Sequence, residues 1–134
     1  MGDFCKKGSG ITLTSLEDAK NYKSIGTYRD DSTELFLKSQ GFTNLESVAD
    51  DKQNVLKLLS GHINLWITGE IQGLAKAKEK GAHEKIEKVL EIKDTQLYIA
   101  FSRNTASSDI EVWQKALDAM KKDGTYETIV KKYM

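Results

Sequence analysis

The sequence predicts an α/β fold with a mostly parallel sheet, and three observations carry that expectation. Short β-prone runs alternate with amphipathic helical stretches along most of the chain. One run, residues 63–68, is apolar on both faces, as a strand covered from both sides must be. Several helix stretches open on Asp or Ser and close on Gly, so the units are clearly punctuated. Proline is entirely absent, which leaves the turns to Gly, Asn, Asp and Ser.

Each element can be placed in order. Residues 4–10 read as a strand end running into a Lys- and Gly-rich loop. Ser15-Leu16-Glu17-Asp18 is a capped helical turn, with Asp18 three residues after the cap. Residues 22–28 are strand-like, and Gly26 within them indicates close backbone packing. A helix opens at Asp31-Ser32-Thr33-Glu34, faces Phe36 and Leu37 inward, and ends at Gly41. Residues 44–48 form a short strand. Asp50-Asp51-Lys52-Gln53 starts a helix with a buried stripe of Val55, Leu58 and Leu59, stopped by Gly61. The strand at residues 63–68 holds Trp66 in the core. A third helix, residues 70–80, turns Ile71, Leu74 and Ala75 inward, and Gly81 stops it. Strands are expected at residues 86–92 and 97–102. A long helix from Ser108 places Ile110, Trp113, Leu117 and Met120 at helical spacing, and a shorter one follows Gly124.

Right-handed crossovers then give the three alternating strands the order 2-1-3, as in flavodoxin-like sheets. Ligands of such sheets bind beyond the carboxyl ends of the strands, where the winding reverses. Tyr28, Arg29, Asp31, Ser32 and Thr33 after the first strand, and Thr68, Gly69 and Glu70 after the third, are therefore the expected binding edge. Two readings apply to residues 26–34. The helix start offers amides and hydroxyls to a polar ligand group, or Asp31 caps its own helix. Arg29 can pair with Asp30 or Asp31.

Composition excludes several classes. The 134 residues suffice for one domain with a core. Twenty basic and twenty acidic residues balance, with no basic block of the kind nucleic acid requires. No apolar run reaches the roughly 20 residues that cross a bilayer, and no signal-peptide pattern opens the chain. Cys5 is the single cysteine, so neither an internal disulfide nor a thiolate cluster is expected. His62 and His83 stand far apart without acidic partners at ligand spacing, so no metal site is expected. Glu34 and Glu70 fall near the predicted edge, but each sits in a first helical turn, where the dipole favours acids. No catalytic residue and no cofactor is expected, and the chain reads as a binding module rather than an enzyme. The mixed charges of residues 76–88 form a solvated face.

Several ordered pieces resemble the family 3 extracellular solute-binding proteins, which feed amino acids and related polar solutes to ABC importers. They are Ser15-Leu16-Glu17-Asp18 with Ile25-Gly26, residues 34–42, Leu58-Leu59-Ser60-Gly61-His62-Ile63-Asn64-Leu65, Tyr98-Ile99-Ala100-Phe101-Ser102, and Asp123-Gly124-Thr125-Tyr126 through Tyr133. The resemblance implies one lobe of a periplasmic-binding-protein type II fold, with C-terminal helices. It implies a hinge-strand remnant at residues 1–10, the second ligand-binding lobe at 11–102, and helices returning to the first lobe at 103–134. It also implies a first-lobe segment and a permease as partners, a periplasmic or membrane-tethered extracellular location, and closure of two lobes on a small polar solute. Two departures stand out. The family's Gly-Thr-Thr at the helix start is Asp30-Asp31-Ser32 here, and its aspartate for the ligand amine falls at Gly69, beside Glu70. The resemblance therefore leaves an α-amino acid, a cationic solute and a neutral polar solute all open. Other expectations are a self-associating lobe that dimerises through its C-terminal helices, and a sensor domain of a membrane receptor. Some relatives of the fold are dehydratases of cyclic acids, but no catalytic pair is marked here.

Overall fold

The structure is a computed structural model that describes residues 1–94 and 96–134. The chain divides into two compact units, Met1–Thr95 and Gln96–Met134. The first unit is a three-layer α/β lobe built on a five-stranded sheet.

The strands are β1 (Gly2–Lys6), β2 (Ile25–Tyr28), β3 (Leu45–Val48), β4 (Leu65–Thr68) and β5 (Ile86–Glu91), in the spatial order β3-β2-β4-β1-β5. β2 is parallel to both β3 and β4, while β1 is antiparallel to β4 and β5. Four of the five strands thus run the same way, and the three alternating strands take the expected 2-1-3 order. β4 lies at the centre, and all four of its residues are buried.

The two faces bury different sets. One face holds Cys5, Ile25, Leu65 and Ile67 against Ala19 of a 3-10 segment (Leu16–Asn21) and Leu37 of α1 (Ser32–Ser39). The other holds Phe4 and Trp66 against Val55 and Leu58 of α2 (Lys52–Ser60) and Ala77 of α3 (Glu70–Glu79). Alternation along each strand sends neighbouring residues to opposite layers. α2 ends where Gly61 turns left-handed at φ 78°, a conformation a side chain would strain.

Gly26 allows close approach. A Cβ there would stand 2.4 Å from Asn54 Oδ1 and 2.6 Å from Ile63 Cδ1. α3 corrects one expectation, because Ile71 is exposed and the buried positions are Gly73 and Ala77, with Leu74 packed partly against the core. The reason is steric. Phe4 and Trp66 fill that layer, and a Cβ at position 73 would come within 2.6 Å of Thr68 Cγ2, so the helix turns its smallest residues inward. The expected strand at residues 97–102 is also absent. Leu97 is 88% and Tyr98 82% exposed, and a strand without a ladder partner leaves its backbone groups unpaired.

The second unit contains α4 (Ser107–Asp123) and α5 (Thr125–Tyr133), joined at Gly124. The Phe101 and Trp113 rings meet at a tilt of 59°, with a centroid distance of 6.5 Å. Neither helix buries a residue, and Trp113 is 59% exposed. Among the described residues, no helix is long and apolar enough to cross a membrane.

Candidate functional site

Parallel pairing places three strand ends at one rim. Tyr28 is level with Val48, and β2 and β4 run in step through Ile25–Leu65 and Gly26–Trp66. The turns that follow, at residues 29–31, 49–51 and 69, therefore emerge side by side. The antiparallel β1 begins at the same rim, with Gly2 opposite Thr68.

The first turn is held from within. Asp31 Oδ2 accepts the Thr33 amide at 3.0 Å, so the self-capping reading of this helix start is the one observed. Asp30 is the one non-glycine at positive φ among the described residues, at 57°, a region Asp tolerates better than most residues. Glu34 explains why the turn keeps that shape. Its carboxylate is buried, accepts the Asp30 amide at 2.8 Å and the Thr27 hydroxyl at 3.0 Å, and lies 3.5 Å from the Lys38 ammonium. Burial pushes its pKa up, but the Ser47 hydroxyl, the Asp30 amide, the Thr27 hydroxyl and Lys38 together outweigh that and hold it below the usual range. Tyr28, Arg29 and Ser32 are exposed, Asp31 is half-buried and Thr33 is buried. Arg29 forms no ion pair with Asp30 or Asp31 among the described residues; its amide donates to Val48 O at 2.9 Å.

The third turn is differently occupied. Thr68 is buried, and Gly69 and Glu70 are half-buried at the start of α3. Glu70 Oε1 accepts from Lys88 Nζ at 2.9 Å, and Lys88 also meets Glu91 at 2.7 Å. Glu70 is therefore already paired with a cation.

The middle turn holds what sequence reasoning missed. The sequence assigned Asp50-Asp51 jointly to helix capping. Asp50 Oδ1 alone takes the Lys52 amide, at 3.0 Å. Asp51 makes no side-chain cap bond; its Oδ1 accepts from Asn54 Nδ2 and Trp66 Nε1, both at 2.8 Å, and its Oδ2 from Thr68 Oγ1 at 3.0 Å. Asn54 Nδ2 also reaches Thr27 O at 3.1 Å, tying β2 to the same cluster. The available signal was a doubled acid where one cap suffices, followed by a tryptophan whose N–H needs a partner when buried.

The eight predicted residues thus lie on two neighbouring turns of one rim, and Asp51, on the turn after β3, bonds Thr68 at one of them. Among the described residues, no group of three or more His, Cys, Asp or Glu is placed to hold a metal ion.

Comparison with solved structures then fixes the fold. An ancestral arginine-binding protein bound to glutamine matches with a TM-score of 0.69 at 28% identity, over 99% of this chain and 58% of that one. The lobe has the fold of a periplasmic-binding-protein domain. The second substrate-binding domain of a protein assigned as an amino acid ABC transporter from Streptococcus pneumoniae matches at 0.73 with 17% identity, over 98% of this chain and 59% of that one. A histidine kinase sensor domain with similarity to periplasmic binding proteins matches at 0.73 with 19% identity, over 99% and 57%. The chain therefore spans less than three fifths of each of these three structures. No protein-family model matches it, and no curated protein matches it significantly.

Proposed function

We propose that this chain is a ligand-binding lobe of a family 3 extracellular solute-binding protein, serving an ABC importer for amino acids or related small polar solutes. The observation that carries the reading is the convergence of three strand-to-helix turns on one rim, in a lobe whose structural neighbours include amino-acid binders. Tyr28, Arg29, Asp31, Ser32 and Thr33 line one side of the half-site and Thr68, Gly69 and Glu70 the other. Residues 11–102 correspond to the second lobe, residues 1–10 to a hinge strand, and residues 103–134 to helices that pack on a first lobe. The location is periplasmic or extracellular, the native partners are that first lobe and a permease, and the role is binding rather than catalysis. Capture works by closure, since burying the solute between two lobes shifts an open form to a closed one.

A single lobe presents half of such a site, so its own affinity is millimolar or absent. The test is titration of the 134-residue chain with L-arginine and with L-glutamine, followed by amide NMR. Shifts confined to residues 28–33 and 68–70 at millimolar concentrations support the reading. Micromolar binding, or shifts centred elsewhere, would overturn it. A second reading, the sensor domain of a membrane receptor, is favoured by the sensor-domain neighbour and uses the same rim. The exposed Ile110, Trp113 and Tyr126 of the second unit also suit a homodimer through the C-terminal helices; a strict monomer by light scattering at high concentration counts against that.

A further inference from the structure

We propose that the end of the lobe opposite the rim is a docking surface for an anionic phospholipid membrane, carried by Lys6, Lys7, Lys23, Lys80 and Lys85. The inference goes beyond the solute-binding reading. Its test uses no solute, so either one can fail without the other.

Topology gathers these lysines. β2, β3, β4 and β5 all begin at the end away from the rim, and the antiparallel β1 finishes there. Lys6 closes β1 opposite Ile86, and the Lys7 amide donates to Lys85 O at 2.9 Å. Lys23 precedes β2, and Lys80 follows α3 in the turn that leads to β5. All five lysines are exposed. Among the described residues none of them forms an ion pair, whereas Lys20, Lys38, Lys52, Lys57 and Lys88 each meet a carboxylate. Of the acids at this end, Glu46 is engaged by Lys57. Glu84, beside His83, and Glu87, beside Cys5, leave the lysines in excess.

The rim has the opposite sign, since its turns carry Asp30, Asp31, Asp50 and Asp51 against Arg29. The equal numbers of acids and bases in the chain therefore hide a polarised lobe, and such a field orients the lobe on a charged surface. A membrane fits the basic end better than a protein does. Protein interfaces need an apolar centre with aromatic anchors. The exposed large apolar residues of the lobe are Tyr28, Leu35, Leu56 and Ile71, which lie at the rim or along α1, α2 and α3 and not in the connections of the basic end. Nucleic acid is read by arginine forks or aromatic stacking, and this end presents no arginine and no exposed aromatic ring. Lysine ammonium groups are point charges on flexible stems, which suits a diffuse layer of headgroups. Gly8-Ser9-Gly10, beside Lys7, has no bulky side chain to hold the lysines off that layer. In the solute-binding reading the first lobe closes on the rim and leaves this end uncovered.

The test is co-sedimentation of the 134-residue chain with vesicles of phosphatidylcholine alone and of phosphatidylcholine with one-third phosphatidylglycerol. The chain should sediment with the second and not with the first. Half-molar sodium chloride should release it, because salt screens exposed charges. Lys6→Gln, Lys7→Gln and Lys85→Gln together should weaken partitioning by roughly a hundredfold, about fivefold per lysine. These side chains are exposed, so circular dichroism should show an unchanged fold. The matching control, Lys115→Gln with Lys121→Gln and Lys122→Gln in α4, should keep its binding. Equal binding to both vesicles, binding to neither, or loss through the α4 variant in place of the lobe variant overturns the proposal. Salt-sensitive assembly in light scattering without vesicle binding also overturns it, and assigns the basic end to the acidic rim of a second copy.

Discussion

Asp3 offers the sharpest measurement on this fold. It sits mid-strand in β1, between Ile67 of β4 and Leu90 of β5, fully buried. Neither carboxylate oxygen has a hydrogen-bond partner. Burial in apolar surroundings raises its pKa from 3.8 to about 8. A folded-state value above the unfolded one means that the unfolded chain releases its proton first. The protonated fold is at full stability below pH 4, loses stability as pH rises from there to about 8, and is flat above. At about 1.4 kcal/mol per unit, the stability lost by pH 7 is about 4 kcal/mol, a large share of the 5–15 kcal/mol of a typical domain. Asp3→Asn keeps the shape and removes the titration. Urea unfolding followed by circular dichroism, at intervals from pH 4 to pH 8.5, should show a variant-minus-native difference that widens with pH by several kcal/mol. Parallel curves for the two proteins would refute the reasoning, because they would mean that Asp3 is solvated or paired in the fold.

Glu34 has the opposite sign. Its pKa is held low by the Ser47, Asp30, Thr27 and Lys38 contacts that outweigh burial, so its contribution is present above the usual glutamate range and lost as pH falls through the depressed value. The melting temperatures of native protein and Glu34→Gln should therefore converge in acid and separate near neutrality, with the variant lower. Gly26→Ala should destabilise by about 1–3 kcal/mol in chemical denaturation, since its methyl group would overlap Asn54 and Ile63. The Cys5 thiol is buried, and that burial raises its pKa, more than the nearby Glu87 and Asp3 do, against a lowering contact from Ser9. Ellman's reagent should therefore react with the native chain far more slowly than with the chain in urea.

The parts of this fold legible in the sequence are those set by local rules. Asp31 caps α1, Gly61 stops α2, and the doubly apolar run at residues 63–68 became the central strand. These outcomes depend on a few neighbouring residues. The errors came where a distant partner decides. Ile71 has the right spacing for a buried helix position, but the bulk of Phe4 and Trp66 across the layer selects Gly73 and Ala77 instead. Residues 97–102 have strand-like composition, yet composition cannot supply the ladder that a strand requires. At the rim, the eight predicted positions could be placed from topology alone. Asp51 could not be singled out, because its partners Trp66 and Thr68 are fifteen and seventeen residues away.

Three of the carboxylates at the rim show how one side-chain chemistry performs different work by position. Asp31 spends an oxygen on its own helix, so its charge stabilises α1. Glu34 points into the lobe and fixes the Asp30 backbone in a left-handed turn that the sequence alone would not favour. Asp51 points along the rim and gathers donors from α2 and β4. Each of these three carboxylates accepts from the protein itself, so they have little to reorganise on binding, and rigid presentation of polar groups is what lowers the cost of capture. The same satisfaction sets a limit. Glu70 is paired to Lys88, and the Thr27 and Thr68 hydroxyls donate to Glu34 and Asp51, so these groups are already engaged within the lobe.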